Sequence, residues 1–251
     1  RVPDDVDVTL EVLDADISHV QGLTYVGDDL FAVVHDDTNQ RYGLYRVSES
    51  DGAFTVTELQ SFEVYGSEHG VHGVVPGPDG KSLYVVAGSQ TTVPSWDITR
   101  TMDIWGDDRL LDPPHAADWM REHSAPGGWV AKTDLNGEKW HLIATGLLNP
   151  YDLALNQLGE IFTCDGDEEW DAYLPWSRPM RVYNVVSGAD FGWRSGGGKW
   201  ASYYPDASAA VTDIAPGAPS GISFGYGAAF PAKYQEALFV GDWSRGTIYA
   251  V

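Results

Sequence analysis

Cysteine is nearly absent. Cys164 stands alone among 251 residues, so the chain closes no internal disulfide. Basic residues are scarce too: 15 Lys and Arg face 37 Asp and Glu, for a net charge of −22. Such a surface repels phosphate backbones and anionic lipid, which removes nucleic acid and direct membrane insertion from the expected partners. No apolar run approaches the ~20 residues that a membrane helix needs. Residues 1–12 lack a signal-peptide pattern and read as a mature or trimmed start. There is no phosphate-binding loop, no dinucleotide fingerprint and no G-x-S-x-G elbow.

What is present is turn-forming and aromatic: 28 Gly, 14 Pro, 10 Trp and 13 Tyr. That profile suits an all-β fold. One hairpin pattern recurs four times: "QGLTYVGDDLFAVVHD" from Gln21, "HGVVPGPDGKSLYVVAG" from His72, "YDLALNQLGEIFTCDG" from Tyr151 and "SGISFGYGAAFPAKYQEALFVGDW" from Ser220. Each is a short alternating strand, a turn, and a second strand that ends in a small or acidic residue. A third strand follows each, beginning at Tyr42, Gly127, Arg178 and Gly246. The stretches from Phe54 and Lys139 add fourth, outer strands. Repeated units of this kind are β-propeller blades. A β-sandwich explains short strands but not the recurrence. The expectation is one propeller domain over residues 1–251, or part of one, of the six-bladed type with about four blades visible. A long insertion at about 91–126 would wall a pocket on one face, and "HAADWMREH" within it predicts a short helix.

Three stretches carry candidate chemistry. In "DGDEEWD", Asp165, Asp167, Glu168, Glu169 and Asp171 crowd into seven residues. Like charges this close are relieved by a divalent cation, and all-oxygen ligands favour calcium over zinc. A solvated acidic turn reads equally well. In "SEHGVHG", His69 and His72 precede an inner strand, where an imidazole can take a proton from a hydroxyl or simply bond to a neighbouring blade. In "GADFGWRSGGGKW", Trp193 offers a stacking face, and Arg194 and Lys199 can meet a carboxylate ligand; the alternative is a packed turn.

In order along the chain, these motifs resemble the soluble aldose (glucose/sorbosone-type) dehydrogenases, six-bladed propellers that use pyrroloquinoline quinone (PQQ). Within that group the chain looks closest to the large planctomycete-type "membrane-bound dehydrogenase" proteins. The resemblance runs from about Gly22 to Val251. It places the family's catalytic histidine at His69, eight residues before Gly77 of "GPDG". The family's "RNP" reads "LLNP", which keeps Asn149 but puts Leu148 in place of the arginine. "GADFGW" and Ala218–Gly221 match further turns. By this resemblance His69 and Asn149 are catalytic. Asn149, Trp193, Arg194 and Lys199 hold the quinone, and the acids 165–171 hold calcium. The substrate is then a sugar or alcohol, and the location periplasmic or extracellular. Two other readings stand beside it: a non-catalytic calcium-binding propeller that serves as a protein-binding or assembly module, and a calcium-dependent lactonase-like hydrolase.

Overall fold

The computed structural model describes residues 12–98, 127–166, 178–194, 198–201, 203 and 207–251. The insertion from 99 to 126 and the acids Asp167, Glu168, Glu169 and Asp171 lie outside the described residues.

Four antiparallel sheets form in chain order. The first blade comprises β1 (Val20–Val26), β2 (Asp29–Asp36), β3 (Arg41–Ser50) and β4 (Ala53–Ser61). The second comprises β5 (Val71–Pro76), β6 (Ser82–Ala87), β8 (Gly128–Asp134) and β9 (Trp140–Leu147); β7 (Asp97–Ile98) pairs in parallel with the outer edge of β9. The third comprises β10 (Leu153–Leu155), β11 (Ile161–Asp165), β12 (Met180–Val185) and β16 (Thr212–Ile214). Between β12 and β16, β13 (Ala189–Asp190) crosses to β9, while β14 (Trp193–Arg194) and β15 (Gly198–Lys199) make a small hairpin. The fourth blade comprises β17 (Pro219–Phe224), β18 (Leu238–Asp242) and β19 (Thr247–Ala250). The four repeats are thus four blades; of "GADFGWRSGGGKW", read as a ligand-binding stretch or a packed turn, the described residues form short strands, of which β13 ties the third blade to the second.

Local chemistry sets the hairpins. Asp79 Oδ1 accepts from Lys81 N and Ser82 Oγ, Asp134 Oδ1 from Asn136 N and Glu138 N, and Asn156 Oδ1 from Leu158 N and Glu160 N. These side chains do the work of a backbone turn and fix the register of the flanking strands.

Packing is blade on blade, with one apolar cluster per junction. Phe31, Val33 and Leu44 of the first blade meet Val71, Leu83 and Trp129 of the second. Val86, Val130 and Leu147 meet Leu153, Ile161 and Tyr183 of the third. Ala154, Cys164 and Val182 meet Ile222, Leu238 and Val240 of the fourth. Each fully buried side chain of this size contributes roughly 1.5–3 kcal/mol. β1 neighbours β5, β5 neighbours β10, and β10 neighbours β17, around a central cavity of about 660 Å³ lined by these four inner strands. Sheets stacked face to face about a shared axis define the class: an all-β propeller. Among the described residues no helix is long and apolar enough to cross a membrane.

Three inner strands break register at one place, between Val20 and Gly22, Val71 and Gly73, and Pro219 and Gly221. Gln21, His72 and Ser220 are the extra residues. Such bulges bend a strand and re-aim one side chain.

Candidate functional site

The leading ends of the inner strands converge. A Cβ on Gly22 would lie 2.7 Å from His72 O, and one on Gly73 would lie 3.1 Å from Tyr151 O. Ile222 N donates to Asp152 Oδ2 at 3.3 Å, tying the third blade to the fourth. This convergence is the mouth of the propeller.

His69 and Asn149 come to it from 80 positions apart, on the segments that lead into two adjoining blades. In the second blade Glu68 N and His69 N both donate to Gln90 Oε1 at 2.9 Å. In the third, Leu148 N donates to Asp165 Oδ2 at 2.8 Å and Asn149 N to Asp165 Oδ1 at 2.7 Å. Ser89 N bonds Leu148 O at 2.7 Å and joins the two segments. His69 is buried, with Nδ1 3.1 Å from Ser89 Oγ. Gly88 fits between them: a Cβ there would lie 2.7 Å from both Asn149 Oδ1 and His69 O.

His72, offered by the sequence alongside His69 as a proton acceptor or a bond to a neighbouring blade, makes the bond to the neighbouring blade. Its Nε2 is 2.7 Å from Asn149 Oδ1, and its ring stacks on Tyr151 at 4.1 Å and 15°. Burial, with a lesser contribution from nearby His35, pulls its pKa down to about 4 against the bond to Asn149, so the ring is neutral at ordinary pH. Asp152 beside it is shifted the other way, upward, because burial outweighs the N–H donors of Leu153 and Ile222.

The basic candidates face inward. Lys199 Nζ sits 2.6 Å from Asp165 Oδ2 and 2.9 Å from Tyr183 Oη, all buried. Burial alone would lower the Lys199 pKa, but the carboxylate and phenol reverse that and raise it. Arg194 Nη2 is 2.9 Å from Asp190 Oδ2, and the guanidinium lies 4.0 Å from the Trp200 ring centre. Trp193 is buried against Gly127. Asp165 therefore has its charge met by Lys199 and both oxygens engaged. Among the described residues no three His, Cys, Asp or Glu side chains are placed to hold a metal.

At the mouth, between the third and fourth blades, lies a cavity of about 460 Å³. Asn149, Tyr151, Ser220 and the exposed Trp243 supply its polar and aromatic faces, and Leu148 and Met180 its apolar ones. Flat indole beside an amide and a hydroxyl suits a small ring bearing hydroxyl groups. No lysine or arginine is among the described residues lining this cavity or the central one.

No protein-family model and no curated protein matches the chain. Solved structures do. A Thermus thermophilus protein assigned as an oxidoreductase (glucose dehydrogenase) aligns with TM-score 0.59 at 14% identity, over 92% of this chain and 69% of its own. PQQ-bound aldose sugar dehydrogenase from Streptomyces coelicolor aligns at 0.44 and 14%, over 96% and 79%. The PQQ domain of Coprinopsis cinerea pyranose dehydrogenase aligns at 0.40 and 14%, over 94% and 75%. At these identities the likeness supports the propeller fold, and only the first alignment is close enough to carry weight.

Proposed function

We propose that this chain is a dehydrogenase-type propeller that binds a sugar or alcohol at the mouth between its third and fourth blades. One observation carries the reading: Asn149, brought to the buried His69 across Gly88 from 80 positions away, lines a cavity faced with Trp243 and Tyr151. In this reading His69, oriented by Ser89, accepts a proton from a ligand hydroxyl, and the Asn149 amide meets a ligand oxygen. A periplasmic or extracellular setting goes with such a substrate.

The resemblance also brings calcium and PQQ, a quinone that carries three carboxylates. Such a group calls for cations. Leu148 is apolar and buried where the family has arginine, and Lys199 and Arg194 are turned to Asp165 and Asp190. The described residues therefore do not fit the quinone, and the oxidising half of the reaction has no counterpart among them. The same observation favours a second reading, a propeller that binds a small ligand or calcium without turnover and acts as a module of a larger assembly.

The test is a titration of purified protein with calcium and PQQ, following quinone absorbance and dye reduction with glucose. Turnover that His69→Gln abolishes establishes the dehydrogenase. Calcium-dependent binding without turnover, with activity appearing in Leu148→Arg, establishes the second reading. Absence of sugar, calcium and quinone binding removes both.

A further inference from the structure

We propose that His72 sets the polarity of the mouth: by holding Asn149 Oδ1, it turns the amide nitrogen of Asn149 to the cavity. The site then selects a ligand that offers an acceptor oxygen there, such as a carbonyl. The selection clause rests on the reading of this cavity as the ligand site; the orientation does not.

Asn149 can be held in two ways. Its side chain presents either a two-proton donor or an acceptor, and the choice follows the histidine tautomer. With the proton on Nε2, His72 donates to Oδ1 across the 2.7 Å contact and the amide nitrogen is left outward. With the proton on Nδ1, Nε2 accepts from the amide nitrogen and Oδ1 is left outward.

The surroundings decide between them. His72 Nδ1 is buried and has no hydrogen-bond partner. A proton there would be a buried donor with nothing to bond, whereas a bare lone pair is the lesser loss. The Nε2–H form wins on that account. Its neutrality follows from burial, with protonation deferred to about pH 4. Protonation would not reverse the arrangement, since the imidazolium still donates from Nε2.

Three further contacts restrict Asn149. Its backbone N–H is held by Asp165 Oδ1 at 2.7 Å. Gly88 leaves room for Oδ1, which a Cβ at that position would approach to 2.7 Å. Tyr151, stacked on His72, fixes the plane of the imidazole. His72 is itself the extra residue of the β5 bulge, which aims its ring at the next blade. Of the two polar atoms of the Asn149 side chain, the amide nitrogen is the one left to the cavity.

His72 is thus a positioning residue, and its test has two arms. In the first, nitrogen-15 spectra of the histidine rings at pH 7 identify the protonated nitrogen of His72, assigned by its loss in His72→Gln. An Nε2 proton bonded to the Asn149 side chain is expected; an Nδ1 proton overturns the proposal. In the second, tryptophan fluorescence compares freshly dissolved D-glucono-1,5-lactone with 1,5-anhydro-D-glucitol, the same ring without the carbonyl. The native protein should prefer the lactone by about tenfold, the worth of one hydrogen bond to a carbonyl. His72→Gln, whose amide can still donate to Oδ1, should keep most of that preference, and His72→Leu should lose it. An unchanged preference in a folded His72→Leu protein overturns the proposal. If neither probe binds while the Nε2–H form is found, the orientation stands and the ligand-site reading fails.

Discussion

The segments leading into the second and third blades solve one problem with different chemistry. Each must satisfy two adjacent backbone N–H groups as the chain turns into its inner strand. Before the second blade a neutral amide oxygen, Gln90 Oε1, accepts both. Before the third, Asp165 spreads its two oxygens over Leu148 N and Asn149 N. The amide solution is self-contained. The carboxylate solution buries a charge, and Lys199 must be brought in from 34 residues away to meet it. A buried pair of this kind is not a surplus of stability; it becomes costly when one member is lost.

That contrast can be broken in graded steps. Lys199→Met should be the most damaging, lowering unfolding free energy by about 3–5 kcal/mol because Asp165 is left charged and buried; urea denaturation at pH 7 measures it. Adding Asp165→Asn to Lys199→Met should recover most of that loss, since it rebuilds the neutral solution of the second blade. A double variant no more stable than Lys199→Met would show that the two segments are not equivalent.

The next effect is pH-dependent and comes from His72, which bridges the two segments. Its folded pKa, about 4, lies below the ordinary value of 6.5. As pH falls through 6.5 the unfolded chain takes up the proton and the folded one does not, so stability is lost until about pH 4 and is flat below. The loss amounts to about 3 kcal/mol at most. Denaturation curves for the native protein and His72→Gln should therefore converge in stability as the pH is lowered from 7 to 4. Parallel curves would place the ring in contact with solvent.

The smallest effect belongs to the neutral side. Gln90→Ala should cost about 1–3 kcal/mol for two unsatisfied donors and should not change with salt. A strong salt dependence would mean that charge enters the second blade's segment as well.

The blades were legible because each hairpin writes an alternating pattern and a turn residue into contiguous sequence. Asp79 and Asn156 announce their turns, and the small or acidic residue closing each second strand marks Asp165 and Asp242. What that mark does was less legible. The sequence around Asp165 is acidic, and local repulsion argued for a cation; in the fold, Lys199 supplies the positive charge from β15, a pairing with no periodic signature. Gln90 carries no motif at all. Its role is found only by laying the second blade against the third and asking what meets the same pair of N–H groups. His69 and Asn149 were visible one at a time, but their approach on either side of Gly88 needed the fold. The outer strand of the third blade, β16, follows β12 after a long excursion and was hidden by that distance.

The shared bulge has a consequence for how such a ring can change. Gln21, His72 and Ser220 occupy one backbone geometry repeated around the axis. Each works as an interchangeable socket, so an amide, an imidazole and a hydroxyl can trade places without rebuilding the strand beneath. A new specificity at the mouth is then a matter of single substitutions at three predetermined seats.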